Sequence, residues 1–267
     1  MDTKRQCILS VDSLQIGYGH GRRKNILLSG LNACVCRGEL VALIGRNGIG
    51  KSTLLRSIIG LQPVYEGKIC INGENLSDIP RLDLAKMIGY ISTEMIRVSN
   101  MTVSDLVTLG RFPHTNWIGA IDSKSREAIN RAITRSGMGN LVDRYISELS
   151  DGERQRGMIA RLLAQDAGIM VMDEPTAFLD LPGKLEIMNL IKSLSLSGKT
   201  IIFSTHDINI ALKLADRIWM MLKDTLIEGT PDELIENGAF ESLFEPNEPD
   251  SDLYSGFSVR DYLKNLL

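Results

Sequence analysis

The chain opens with apolar and polar residues in alternation, the pattern of strands with one buried face. The alternation runs over Ile8 to Val11 and Leu14 to Tyr18, breaks at the polar stretch Gly19 to Lys24, and resumes from Ile26 to Cys36. This predicts an antiparallel β layer. The run Leu40 to Ile44 is apolar throughout, as expected of a strand buried on both faces. A glycine-rich turn follows, and then a helical period from Ser52 to Gly60 with Leu54, Leu55, Ile58 and Ile59 on one face. Gly67 to Ile71 reads as a short strand closed by an Asn72-Gly73 turn.

From about Thr102 to Leu149 the pattern turns helical, with helices predicted over Thr102 to Arg111, Asp122 to Gly137 and Leu141 to Ser147. A βα rhythm then returns. It comprises a helix from Asp151 to Gln165, a strand Ile169 to Met172, a helix Pro182 to Leu196, a strand Thr200 to Ser204, a helix Ile208 to Ala215 and a strand Arg217 to Leu222. Such alternation implies an α/β fold with a mainly parallel sheet, an N-terminal antiparallel β subdomain and an inserted helical subdomain. The expected organisation is one domain over residues 7–240, its helical part at about 95–150, followed by residues 241–267. That last stretch reads as an acidic, proline-containing linker, Glu245 to Asp250, and a short amphipathic piece, Val259 to Leu267.

Composition narrows the function classes. With 267 residues and a net charge of −3, the chain has a core of ordinary size and no global basic field to hold a polyanion, so no nucleic-acid partner is expected. No apolar run reaches the roughly 18 residues that span a bilayer, and no apolar signal segment follows Met1, so a cytosolic chain is expected unless a partner tethers it. Cys7, Cys34, Cys36 and Cys70 lie in strand-like contexts without the second pair or nearby histidine that a tetrahedral metal site needs.

Candidate chemistry begins at Gly45-Arg46-Asn47-Gly48-Ile49-Gly50-Lys51-Ser52, a G-x-x-x-x-G-K-[ST] sequence between the apolar strand and the helix. Glycines let the backbone curl so that several N–H groups face one anion, and the helix N-terminus adds unpaired donors. Lys51 is placed to reach the β and γ phosphates of a nucleotide, and the Ser52 hydroxyl suits Mg²⁺. About 120 residues later the strand Ile169 to Met172 runs into Asp173 and Glu174. Ligands gather at the carboxyl ends of parallel strands, so Asp173 is a candidate Mg²⁺ ligand and Glu174 a candidate base for the attacking water; a solvated strand end is the plain alternative. The strand Thr200 to Ser204 delivers His206 to the same sheet edge, a candidate γ-phosphate contact. Ser150 and Glu153 form a capping-box pattern, and Ser150 with Gly152 at a helix start also makes an anion site.

The set Gly45 to Ser52, Leu149 to Arg156, Ile169 to Asp180 and Ser204 to His206 resembles the ATP-binding cassette ATPases in order and spacing, over about residues 8 to 235. The resemblance implies a P-loop NTPase (RecA-like) core, the cofactors ATP and Mg²⁺, and hydrolysis of ATP. It also implies a head-to-tail dimer in which a second copy of the chain completes each ATP site. Thr53 and Glu153 are further candidate nucleotide-site residues; Ser150 and Gly152 would complete the site in trans, and Asp180 would cross the interface. Tyr18 occupies the place of an aromatic ring stacked on adenine. Two departures stand out. Asp151 and Glu153 replace the commoner glycine and glutamine of the signature, and Asp151 is expected to point away from phosphate. Thr93 stands where a glutamine normally senses Mg²⁺ and the transport partner, with Glu94 beside it as a substitute.

Met101 to Val107 leading to Gly110-Arg111-Phe112-Pro113-His114 resembles the helical region of cassettes that import iron–siderophore complexes, haem or cobalamin. A helix end stopped by proline is the plain reading of the same residues. The resemblance implies transmembrane permease subunits as partners, a substrate-binding protein as an indirect one, and a peripheral position on the cytoplasmic face of the inner (plasma) membrane. The alternatives are a cytosolic cassette ATPase of repair, translation or cluster assembly, and a cassette of another transporter class.

Overall fold

The computed structural model describes residues 6–19, 24–94, 100–115, 119–223 and 225–244. In chain order the elements are β1 (Cys7–Tyr18), β2 (Asn25–Cys36), β3 (Leu40–Gly45), α1 (Lys51–Ile58), β4 (Glu66–Ile71), β5 (Glu74–Asn75), α2 (Arg81–Met87), β6 (Ile88–Ile91), α3 (Val103–Leu109) and α4 (Ser123–Arg135). They continue with α5 (Asp151–Gln165), β7 (Ile169–Met172), α6 (Leu181–Leu196), β8 (Thr200–Ser204), α7 (Ile208–Leu214), β9 (Arg217–Met221), β10 (Leu226–Gly229), α8 (Pro231–Glu236) and α9 (Glu241–Phe244). These form two compact units, one from the residues up to Gly73 and from Ser204 onward, the other from Glu74 to Phe203.

In the first unit β1 lies between β2 and β4, antiparallel to both, which realises the predicted β layer. The two short alternating runs are one strand. They are joined through Ser13, which takes φ 47° and donates its N–H to the Asn32 side chain, so the register shifts and both runs stay buried on the same side. β3 is buried along its length, runs parallel to β9, and packs against α1 and α7. β9 in turn pairs antiparallel with β10. Trp219 on β9 is fully buried and donates its indole N–H to Glu228 at 3.1 Å; the same carboxylate accepts the Cys34 N–H at 3.2 Å. A buried indole needs that acceptor.

Polar groups also fix the start of β3. Glu39 is 3% exposed, accepts the Cys36 N–H at 2.7 Å and pairs with Arg217 at 3.2 Å. Burial works against the Arg217 charge, but the Glu39 carboxylate, with Glu228 and Cys36 adding to it, holds the guanidinium above its ordinary value. Asp216 accepts the Leu40 N–H at 2.8 Å.

In the second unit β6, β7 and β8 run parallel, with every residue of β7 buried. α5 carries the buried face Met158, Ile159, Leu162 and Leu163 and packs against α3, α4, α6 and β6. Thr102 caps α3 and Asp122 caps α4, each accepting an N–H three residues on, which accounts for where both predicted helices begin. The helix expected over Leu141 to Ser147 does not form. Val103 and Ser104, in the first turn of α3, donate their N–H groups to the carbonyls of Arg144 and Val142, and Tyr145 bridges to Thr102. Those carbonyls are drawn outward, so the segment holds only 3₁₀ turns at Gly139–Leu141 and Ile146–Glu148. α2, β6, β10 and α8 were not anticipated as elements, and the tail pieces Glu245 to Asp250 and Val259 to Leu267 lie outside the described residues.

Removing the Glu39 carboxylate leaves a partly buried guanidinium and the Cys36 N–H without their acceptor. Glu39→Ala is expected to lower unfolding stability by about 2–4 kcal/mol, read as a lower denaturant midpoint at unchanged slope. A loss of stability below about 0.5 kcal/mol, the scale of an ordinary surface substitution, would contradict this account of the β3 entry.

Candidate functional site

The first unit holds the phosphate loop. β3 ends in Gly45, at φ 155°, where a side chain would collide with the Met221 carbonyl, 2.7 Å from the position of a Cβ. Gly50 caps α1 in a left-handed conformation, φ 113°, and makes no side-chain cap. A residue with a Cβ would be strained there, and a side-chain acceptor would take the N–H groups that the helix start presents to an anion. Lys51 is buried and donates its ammonium protons to the carbonyls of Gly45 at 2.9 Å and Arg46 at 3.3 Å, so it lies across the loop. Ser52 and Thr53 occupy the first turn of α1, both partly buried. Arg46, Asn47, Gly48 and Ile49 form the outer arc, which with Met221, Lys223 and Ser242 lines a pocket on the flank of the loop.

Two other predicted residues belong to this unit. Tyr18 ends β1, paired with Asn25, and its ring is nearly half exposed at 46%. His206 is exposed and follows Thr205, whose N–H bonds to the Leu43 carbonyl at 3.0 Å. That bond holds the start of the His206 turn against the strand that feeds the phosphate loop.

The second unit assembles the acids. Asp173 is 2% exposed at the end of β7, with its N–H on the Ile91 carbonyl and the Tyr90 hydroxyl 3.5 Å from its carboxylate. Glu174 takes φ 47°, a left-handed conformation that costs a residue with a side chain about 1–2 kcal/mol. The reversal turns the chain sharply after β7, and the Glu174 carbonyl accepts the Ala177 N–H. Thr93 donates its hydroxyl to the Asp173 carbonyl at 3.2 Å, and so ties the segment after β6 to the acidic turn. Thr93 and Glu94 share a groove with Glu174, Asp151, Arg154 and Phe178.

Ser150 caps α5 as the sequence pattern anticipates. Its hydroxyl accepts the Glu153 N–H at 3.3 Å, and Glu153 accepts the Ser150 N–H at 2.8 Å. The backbone bond from Ser150 holds the Glu153 carboxyl below its usual range, so the contribution of the box is full above that range and is lost as the pH falls through the lowered value. Gly152 has open space where a Cβ would sit. The Asp151 carboxylate lies on its own helix against Arg154, at 2.7 Å. Asp180 accepts the Gly183 N–H at 3.0 Å and caps α6.

Arg111 and His114 have a structural role that the sequence reading did not assign. Arg111 is buried and donates to the Ala164 carbonyl at 2.8 Å, and a His114 ring nitrogen meets the Gln165 carbonyl at 2.8 Å. Both satisfy the last carbonyls of α5, where cationic side chains are favoured. Burial holds the Arg111 guanidinium below its ordinary value, with Asp166 and Asp122 opposing that effect. Arg161 and Tyr90 were also missed. Arg161 donates from α5 to the Tyr90 carbonyl at 2.9 Å, so the residue beside Asp173 is held from the helix. An arginine on the buried side of a helix is the one signal that could have pointed to it.

Comparison with known proteins places this geometry. A family model described as ABC transporter matches residues 28–177. The chain is 35% identical over 232 residues to the petrobactin import ATP-binding protein FpuC of Bacillus anthracis, covering 86% of this chain and 85% of that protein. It is 34% identical over 238 residues to the iron(3+)-hydroxamate import ATP-binding protein FhuC of Bacillus subtilis, covering 88% of each. Among solved structures, a dimeric ATP-binding cassette in a post-hydrolysis state with ADP and Pi superposes at a TM-score of 0.71 with 27% identity, over 84% of this chain and 99% of that one. Matched by the family model over more than half its length, and by relatives above 30% identity over most of theirs, the chain belongs to the ABC transporter family as an ATP-binding cassette.

Proposed function

We propose that the chain is the ATP-hydrolysing subunit of an importer for iron–siderophore complexes, working as a head-to-tail pair on a separate membrane permease. The observation that carries the ATPase reading is the phosphate loop itself: a buried strand, a left-handed glycine cap with no side-chain acceptor, and a buried lysine lying across the loop. ATP would seat its β and γ phosphates on the loop N–H groups and the Lys51 ammonium, with Tyr18 stacked on adenine and His206 at the γ-phosphate. Ser52 and Asp173 each offer a hard oxygen donor of the kind Mg²⁺ prefers, and the ion would neutralise phosphate charge. Thr93 is the weaker candidate for that role, since its hydroxyl already bonds the Asp173 carbonyl.

Glu174 is the proposed general base, orienting and deprotonating the attacking water. Its left-handed backbone breaks the line of β7 at this residue, and such strain gathers at working sites. Ser150 and Gly152 of a second copy would close over the phosphates. Phe178, Leu181 and Leu185 flank Asp180 and are 71%, 70% and 56% exposed, an apolar edge that suits burial between two copies. The higher affinity of ATP for the closed pair supplies the free energy that reshapes the permease, and hydrolysis resets it. Names of the relatives support the cargo class, since two of them import petrobactin and iron(3+)-hydroxamate. Among the described residues no helix is long and apolar enough to cross a membrane, so the crossing is assigned to the permease.

Glu174→Gln is expected to cut ATP turnover by about 10²–10⁴-fold while ATP binding persists, and to accumulate an ATP-bound dimer visible by size-exclusion chromatography. Turnover at the native rate would remove Glu174 from the role of base. Lys51→Ala is expected to weaken ATP binding by at least about tenfold in calorimetric titration; unchanged affinity would count against the loop assignment. For the transport reading, deletion of the gene should abolish uptake of radiolabelled ferric siderophore, with the Glu174→Gln allele failing to restore it. Loss of cobalamin or haem uptake alone would reassign the cargo, and a purely soluble partner on co-purification would reassign the class.

A further inference from the structure

Tyr18 is useful as a base platform only if the end of β1 is held still, and the chain that follows the phosphate loop holds it. α1 starts at the loop and runs from Lys51 to Ile58. The connection from α1 to β4 then turns back along β1. There the Gln62 side-chain amide donates to the Gly17 carbonyl at 2.5 Å, and the Tyr65 hydroxyl donates to the Gly19 carbonyl at 2.6 Å. The Tyr65 backbone N–H bonds to the Gln15 carbonyl at 2.9 Å. On the opposite edge β2 pairs Gly17 with Ile26 and Tyr18 with Asn25.

Packing around Gly17 explains the residue choices. A Cβ at Gly17 would lie 2.1 Å from the Asn25 carbonyl oxygen and 2.9 Å from the Tyr65 ring, so only glycine lets the strand pass between the two. The Lys24 ammonium sits 4.7 Å from the centre of the Tyr65 ring, a cation–π contact just before β2 begins. Gly17, Tyr18 and Gly19 are thus gripped on one side by strand pairing and on the other by two side chains.

We infer that Gln62 and Tyr65 are positioning residues for the nucleotide base, fixing Tyr18 at a set distance from the phosphate loop through α1. This rests on the reading of Tyr18 as the adenine platform. Helix α1 is a rigid spacer: it begins at the phosphates and ends four residues before Gln62. A group that recognises an anion and a group that recognises a base are therefore joined by one continuous piece of chain. Pre-positioning the ring removes its ordering cost from binding, so the benefit falls on ligands that carry a base.

The test uses the full-length protein and two ligands, ATP and inorganic tripolyphosphate, which has the phosphates and no base. Tyr65→Phe keeps the ring and loses only the hydroxyl; it and Gln62→Ala are expected to weaken ATP roughly two- to tenfold, the scale of one lost hydrogen bond, with tripolyphosphate affinity unchanged. At saturating ATP, turnover is expected to stay within about twofold of native, so the effect falls on KM. In a Tyr18→Ala background, Tyr65→Phe is expected to cost no more, because it acts through the ring already removed. Equal weakening of both ligands, no weakening of ATP, or an undiminished effect in the Tyr18→Ala background would each overturn the inference. If Tyr18→Ala alone leaves ATP affinity unchanged, the platform reading itself falls, and the proposed role of Tyr65 with it.

Discussion

A helix that begins directly at the end of a buried strand presents N–H groups that nothing in its own backbone can satisfy. In this chain the N-terminus of α1 is left without a side-chain cap, because Gly50 stands where serine, threonine or aspartate would normally close it. Six of the other helices are capped in the usual way: Thr102 on α3, Asp122 on α4, Ser150 on α5, Asp180 on α6, Asp207 on α7 and Thr230 on α8 each accept an N–H three residues on, whereas α2, which follows Pro80, has no side-chain cap either. Under the proposed function, the nucleotide phosphate that takes the place of the cap recovers the stability forgone at α1. The left-handed glycine and the buried lysine follow from that constraint, since the backbone must curl and the charge must lie within reach of the curl.

The acids of the second unit solve a different problem. Asp173 is nearly fully buried and Glu174, its neighbour, is turned by a left-handed backbone. Two adjacent carboxylates on a regular strand would point to opposite faces, so holding both at one strand end requires the chain to break its period at the second. The surroundings maintain that break. Thr93 grips the Asp173 carbonyl, Tyr90 reaches the Asp173 carboxylate, and Arg161 holds the Tyr90 carbonyl from α5. The helix that carries the signature residues is therefore joined through two side chains to the strand that carries the acids, within one compact unit.

Much of this was legible from pattern alone, and the failures have physical causes. β3, β7 and β8 were readable because a strand buried on both faces is a continuous apolar run, and α5 because its cap and its apolar face agree. α2, β6, β10 and α8 are at most seven residues each, too short to show a period that stands out from their surroundings. The Leu141 to Ser147 segment has helical composition but gives its carbonyls to α3, a long-range use that no local pattern reveals. The phosphate loop and the acidic turn each carry their candidate chemistry in contiguous residues. Gln62, Tyr65 and Tyr90 make their contacts across the fold and leave no local mark, and Arg161 leaves only its place on the buried side of a helix.

The Gly110 to His114 segment shows how one set of residues can support a resemblance and a structural role together. Arg111 and His114 close the C-terminus of α5 while Phe112, between them, is 73% exposed and Leu109 is 52% exposed. A buried guanidinium is costly to desolvate, as its lowered pKa reflects, and the carbonyls at a helix C-terminus offset that cost with the negative end of the helix dipole. The segment is thereby fixed to α5 at two points. Its outward side chains are free to vary in chemistry without loosening the helix, whereas the buried Arg111 is not. Pairing the buried Arg111 with the exposed Phe112 thus joins two constraints: the cation anchors the loop to α5, and the aromatic ring is offered outward from that anchor.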